Sequence, residues 1–173
     1  MLSSERVGED GPMSFGDWLR VFRALHDKAK QGALSKDDAE AYRGGCDELA
    51  RALMAAQRVA PAPYEAPRHA LRVARALQVE LEGPAALVRA MTLDVGVGGF
   101  SAILAKPPQP GEELKATLRI PGGTPLVAQV VPAESRPQPG ATRATFTFKK
   151  LSDADRAVLE LLVMDTALSQ LAG

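Results

Sequence analysis

From Leu77 to Phe148 the chain consists of short β-like runs broken by glycine and proline, and in Leu77–Leu81 and Leu114–Ile120 apolar and polar residues alternate strictly. Alternation of this kind puts one face of an extended strand into a core and the other into water. The runs are Leu77–Leu81, Ala86–Val95, Phe100–Leu104, Leu114–Ile120, Leu126–Val131 and Ala141–Phe148. Turns come from Gly83 and Pro84, from the glycine-rich stretch Asp94–Phe100, and from Pro121–Thr124. Six short strands at these intervals predict a small antiparallel β-barrel.

Helical segments flank the strands. Ser14, Ser35 and Ser152 each stand three residues before an aspartate, namely Asp17, Asp38 and Asp155. A serine hydroxyl can accept from the free N–H groups of a first helical turn, and an acid there meets the positive end of the helix dipole. Phe15, Trp18, Leu19, Phe22, Leu25 and Ala29 fall at steps of three and four and form one apolar stripe, and Tyr42, Cys46, Leu49, Leu53 and Met54 form a second. Gly32 is the expected C-cap of the first helix. The short connection Gln31–Leu34 predicts an antiparallel hairpin. Two helices alone bury too little surface to be stable, so the hairpin needs the barrel, the last helix or a second copy of itself. The expected organisation is α+β: a tail at 1–13, a helical hairpin at 14–58, a proline-rich linker at 59–67, and a six-stranded β-barrel with a C-terminal helix at 68–173.

Composition narrows the function classes. The chain has 173 residues, one domain or a small domain with an appendage, and its 21 basic residues equal its 21 acidic ones. A general nucleic-acid polymer binder would show a basic excess. Cys46 is a single cysteine, so no intramolecular disulfide is expected, and the two histidines, His26 and His69, are too far apart in sequence to suggest a metal site. His26 sits beside the first apolar stripe, where a packing or surface role is expected. No G-x-S-x-G and no phosphate loop ending in Lys-Ser/Thr occurs. The reading is a protein that is not an enzyme and carries no cofactor. No signal-peptide core and no run of membrane-spanning length is found, which predicts a cytoplasmic chain without membrane insertion.

Binding chemistry concentrates in two places. Arg68, Arg72 and Arg75 cluster just after the linker, with His69 among them. A guanidinium fork matches phosphate oxygens and the O6/N7 edge of guanine. In an extended chain a four-residue step would put Arg68 and Arg72 on one side. The plainer account is a solvated basic patch. Downstream, Asp94 opens the turn D-V-G-V-G-G-F. Asp94 as a turn cap and Gly98–Gly99 as a bulge or tight turn are the plainer accounts there.

Together these residues resemble the PilZ domain family, receptors for the bacterial second messenger cyclic di-GMP. That family pairs R-x-x-x-R with a downstream D/N-x-S-x-x-G on a six-stranded barrel followed by a helix. Arg68–Arg72 matches the first motif, and Asp94 and Gly99 match the ends of the second; the resemblance covers residues 66–170. The motif serine is Gly96 in this chain. The resemblance implies that Arg68 and Arg72 clamp phosphates and guanine Hoogsteen edges. It implies that Asp94 accepts from a guanine N1–H and N2–H₂ edge, while Gly96, Gly98 and Gly99 let backbone approach the ligand, with Arg75 and His69 as auxiliaries. The absent hydroxyl would remove about 0.5–1.5 kcal/mol, and Gly96→Ser is expected to restore it. The implied function is a receptor that passes the signal, through protein contacts, to a motility, type IV pilus or exopolysaccharide apparatus. The alternative is a PilZ-like adaptor that binds only protein. The apolar stripe of 14–58 is an expected output or homodimer surface, or else packs within the chain.

Overall fold

The computed structural model describes residues 13–172, so the tail expected at 1–13 lies, apart from Met13, outside the described residues. The order is α1 (Phe15–Lys30), α2 (Lys36–Ala56), a one-turn α3 (Pro67–Ala70), β1 (Arg72–Ala74), β2 (Gln78–Glu82), β3 (Leu87–Gly96), β4 (Gly99–Leu104), β5 (Leu114–Leu118), β6 (Leu126–Gln138), β7 (Ala141–Lys150) and α4 (Asp153–Ala172). The strands neighbour one another as β3-β2-β5-β6-β7-β4, and β3–β4 pairing closes the ring into a six-stranded antiparallel barrel. The expected α+β barrel with its hairpin and last helix is the observed fold.

Two features extend the sequence reading. β1 lies outside the ring and pairs only with the Asp94–Gly96 end of β3; at three residues it is too short to show alternation. β6 runs past Val131, where its alternation ends, and continues with β7 as an exposed ribbon to Gln138. A register shift between Pro132 and Glu134 accommodates a proline that cannot donate to the ladder.

The core is in two parts. Inside the barrel, Val79, Leu118, Val130, Phe100 and Phe146 pack together, with the last two rings 5.3 Å apart, and Leu159 of α4 joins them. Full burial of each large side chain contributes about 1.5–3 kcal/mol. The second part joins Phe22 of α1, Leu49 and Met54 of α2, Leu71 and Val73 around β1, and Val163, Met164 and Leu168 of α4. The hairpin stripe is therefore largely covered within the chain, by α4 and the β1 segment, while Phe15 at its start stays 57% exposed. Where α1 crosses α2, the Phe22 ring lies against bare backbone: a Cβ at Gly45 would stand 2.6 Å from it. Trp18, Phe22 and Tyr42 stack at centroid distances of 5.2 and 5.4 Å.

The helix ends follow their cues. Ser14, Ser35 and Ser152 each accept from the N–H three residues on, at 3.1 Å. Gly32 lies one residue beyond the cap Gln31, in the left-handed region at φ 68°, and Ala33 N–H donates to the Lys28 carbonyl. α2 ends by the same closure, Val59 N–H to the Met54 carbonyl, but the left-handed position is Arg58, at φ 61°.

His26 is buried at 3% exposure rather than at the surface. Its Nδ1 lies 2.7 Å from the Tyr42 hydroxyl and its Nε2 3.1 Å from Asp165 Oδ1. A neutral ring fits this pair of contacts, donating from Nε2 and accepting at Nδ1. Burial holds the His26 pKa below 6.5 despite the Asp165 carboxylate. Burial likewise pushes the Cys46 thiol up to about 12, which makes it a packing residue and not a reactive one.

Two outcomes are expected. Arg58→Gly relieves a left-handed residue and raises stability by about 1 kcal/mol, read as a higher thermal midpoint. Because the folded His26 pKa is depressed, its contribution is fully present above pH 6.5 and is lost as pH falls through the folded value. Denaturant midpoints should drop from pH 7 to pH 5 in the native chain and drop less in His26→Gln.

Candidate functional site

β3 carries the acidic residue of the site, and a bulge aims it. Pairing with β4 is regular until Thr92 opposite Ala102, then shifts so that Asp94 stands opposite Ser101. Thr92 points inward, buried at 2%, while Leu93 and Asp94 both reach the outer face and Val95 returns to the core. Thr92 Oγ1 donates to the Arg75 carbonyl at 2.6 Å and accepts from Leu77 N–H at 2.8 Å, tying β1 to the start of β2.

Asp94 then sits between two guanidinium groups. Arg72 Nη1 donates to Oδ1 at 2.8 Å and Arg143 Nη2 to Oδ2 at 3.1 Å. Arg72 comes from β1, which pairs directly with β3, and Arg143 comes from β7 beyond β4. One carboxylate between two cations leaves a net positive charge and several N–H donors free. The Asp94 side chain is 19% exposed and the arginines 33% and 41%, so solvent screens each pair.

The three glycines of the turn separate by role. Arg72 is the Cα partner of Gly96. A Cβ at Gly96 would stand 2.6 Å from the Leu71 carbonyl oxygen and 2.7 Å from Arg72 Cδ. A Cβ at Gly99 would stand 2.0 Å from the Phe146 carbonyl oxygen. Both glycines are thus required by strand-to-strand approach. Gly98 is exposed, with open space where its Cβ would be.

Gly98 lines an open cleft of about 510 Å³ together with Tyr64, His69, Lys149, Lys150 and Arg156. This volume is in the range of small-molecule sites. Arg156 Nε is buried without a hydrogen-bond partner, and among the described residues neither Arg156 nor Lys150 has an ion-pair partner. Tyr64 presents its ring at 94% exposure.

The first arginine is placed otherwise than expected. Arg68 is not in extended chain on the side of Arg72; it lies in the helical turn α3, which Pro67 starts. Its backbone N–H and Nη1 donate to Asp47 Oδ1 and Oδ2 of α2, at 3.1 and 2.8 Å. His69 lines the cleft and its Nε2 lies 2.8 Å from Glu160 of α4. Arg75 contributes through its backbone, donating to the Leu93 carbonyl at 3.2 Å. Arg143 was not singled out in the sequence. Its outward direction follows from the alternation of β7, but its neighbour Asp94 follows only from barrel closure.

The PilZ domain family matches residues 66–165. The chain belongs to that family. Among solved structures, this PilZ domain is similar to the inhibitor of motility MotI/DgrA of Bacillus subtilis, at 20% identity and a TM-score of 0.52 over 58% of this chain and 50% of that one. It is similar to YcgR of Escherichia coli in complex with c-di-GMP, at 16% identity and 0.51 over 59% of this chain and 46% of that one. It is also similar to MrkH of K. pneumonia, at 13% identity and 0.53 over 66% of this chain and 54% of that one. At these identities the likeness is one of fold, and the chain spans about half the length of each protein. Comparison with curated protein sequences finds no match.

The close approach at Gly96 sets a steric cost against the motif serine. Gly96→Ser should lower stability by about 1–3 kcal/mol, because the new side chain meets the Leu71 backbone and displaces Arg72. A thermal midpoint equal to that of the native chain would contradict this packing.

Proposed function

We propose that this PilZ domain is a non-catalytic receptor for cyclic di-GMP. The observation that carries the reading is the direct contact of Arg72 with Asp94. Residues 22 positions apart, one from each motif, meet on the barrel surface. The hairpin that bears Asp94 ends in Gly98, which lines the basic cleft. A cyclic dinucleotide carries two phosphodiester anions and two guanines. Arg72 has the donor fork for a phosphate or a guanine O6/N7 edge. Asp94 has the two acceptor oxygens for N1–H and N2–H₂. Gly98 leaves backbone exposed where the ligand approaches, and Tyr64 supplies a face for stacking. Arg68, His69, Gly96 and Gly99 support the site as the turn and backbone that hold these groups. Arg143 shares Asp94 and offers further donors to an anion.

The fold of YcgR, whose structure holds c-di-GMP, supports the same ligand. The motility inhibitor MotI/DgrA supports an output in motility; pilus and exopolysaccharide systems are the other outlets that the family resemblance implies. No step of the proposal needs a cofactor, and among the described residues no helix is long and apolar enough to cross a membrane. The rival reading, an adaptor that binds only protein, draws on Arg68, whose guanidinium is taken up by Asp47.

Calorimetric titration separates the two. Cyclic di-GMP should bind the native chain, and Arg72→Ala should weaken binding by about tenfold or more, since a hydrogen bond to a charged group contributes about 1.5–3 kcal/mol. Absence of binding by the folded native chain rejects the receptor and leaves the adaptor.

A further inference from the structure

The barrel wall has a gap at the start of β3. β2 pairs with residues 87–91 on one edge of β3, but pairing with β4 on the other edge begins only at Thr92. Gly83 N–H donates to the Ala86 carbonyl and Thr92 N–H to the Leu77 carbonyl. By antiparallel alternation Ala86, Val88, Ala90 and Thr92 turn their backbone groups toward β2. Those of Leu87 and Arg89 therefore face an edge on which no strand pairs among the described residues. Burial shows the same gap. Val88 stands opposite Leu81 and points with it into the barrel, yet Val88 is 41% exposed and Leu81 2%. A cleft of about 300 Å³ opens there. Leu81, Leu104 and Leu114, all buried, line it from the strands, and the loop 105–109 that follows β4 lines it across from β3. The charged residues lining it, Lys106 and Glu112, have no ion-pair partner among the described residues.

We propose that this cleft receives a single extended segment of a partner protein, which adds a strand to β3 at residues 87–91 and seats aliphatic side chains on Leu81, Val88, Leu104 and Leu114. An open strand edge is met by another strand, because extended backbone presents donors and acceptors at the matching spacing. Alternate residues of the added strand enter the cleft, whose lining is apolar, so the segment carries aliphatic residues at every second position. Lys106 and Glu112 call for an acidic and a basic residue at its ends. The loop wall contains Pro107 and Pro108, which have no N–H to offer, so β3 supplies the pairing. A second copy fits poorly, since its β3 comes with β2 alongside, whereas the cleft is walled by the loop and takes a lone strand. The chain's own first residues, MLSSERVGEDGP, contain no alternating apolar run. The cleft lies at the opposite end of β3 from Asp94, so it serves a protein contact whether or not a cyclic dinucleotide binds.

The test titrates the peptide acetyl-DVTVTVK-amide into the full chain, read by amide chemical shifts and hydrogen exchange. It should bind with a Kd below about 1 mM, and the Leu87 and Arg89 amides should shift and gain protection. Val88→Asp puts a carboxylate into the apolar cleft and should weaken binding by about tenfold or more. Val127→Asp, at an exposed position of β6, should leave binding unchanged. Should Val88→Asp fail to fold, Arg89→Pro gives the same reading, because it removes an N–H on the open edge and no ladder bond to β2. Two further peptides are N-methylated on alternate residues, and at least one of them should lose binding, since one edge of the added strand pairs with β3. Retention by both shows apolar uptake without strand pairing and overturns the proposal. Absence of binding by the native chain, or binding that leaves the Leu87 and Arg89 amides unmoved, overturns it too. A dimer in sedimentation that Val88→Asp dissociates gives the cleft to a second copy and overturns the partner. All these outcomes leave the cyclic di-GMP reading to its own titration.

Discussion

The backbone of Leu71 and Arg72 lies against Gly96 with no room for a side chain between them, and the rest of the site depends on that approach. It lets β1 pair with the end of β3, which sets Arg72 beside Asp94. It places the turn Pro67–Ala70 within reach of α2, and it buries Leu71 in the core that holds the hairpin. A serine at this position, as in the family motif, would need a different path for the arginine segment. The departure from the motif and the position of Arg72 are thus one structural fact.

Charge in this molecule is arranged for local use. Net charge is zero, yet Arg72 and Arg143 flank one carboxylate, and Lys150 and Arg156 line a cleft without ion-pair partners among the described residues. Half-exposed pairs of this kind contribute little to stability, about 0–1 kcal/mol each. Their placement makes sense as readiness for an anion. The carboxylates at Asp47 and Glu160 have the opposite effect. They hold Arg68 and His69, so that part of the basic segment is engaged before any ligand arrives.

α4 joins the two halves of the core. Leu159 enters the barrel cluster, while Val163, Met164 and Leu168 form the seat of the hairpin one turn later. A helix that serves both clusters transmits a tilt from one to the other, because packed interiors yield little to local strain. His26 ties α1 to the same helix through Asp165.

Much of this was legible in the chain. Alternation named strands such as β2 and β5, which have one wet face, glycine and proline turns bounded the others, and serine-to-aspartate spacing named the helix starts because capping is a local event. Arg72 and Asp94 could be paired by motif. What lay beyond reach was decided by closure and docking. The bulge at Leu93 turned Asp94 outward, and β4–β7 pairing delivered Arg143 from 49 residues away. A helix packing on a turn gave Arg68 to Asp47 instead of setting it beside Arg72. Sequence periodicity reports which face of an element is buried; only the assembled structure decides which neighbour that element meets, because the contacts lie far apart along the chain.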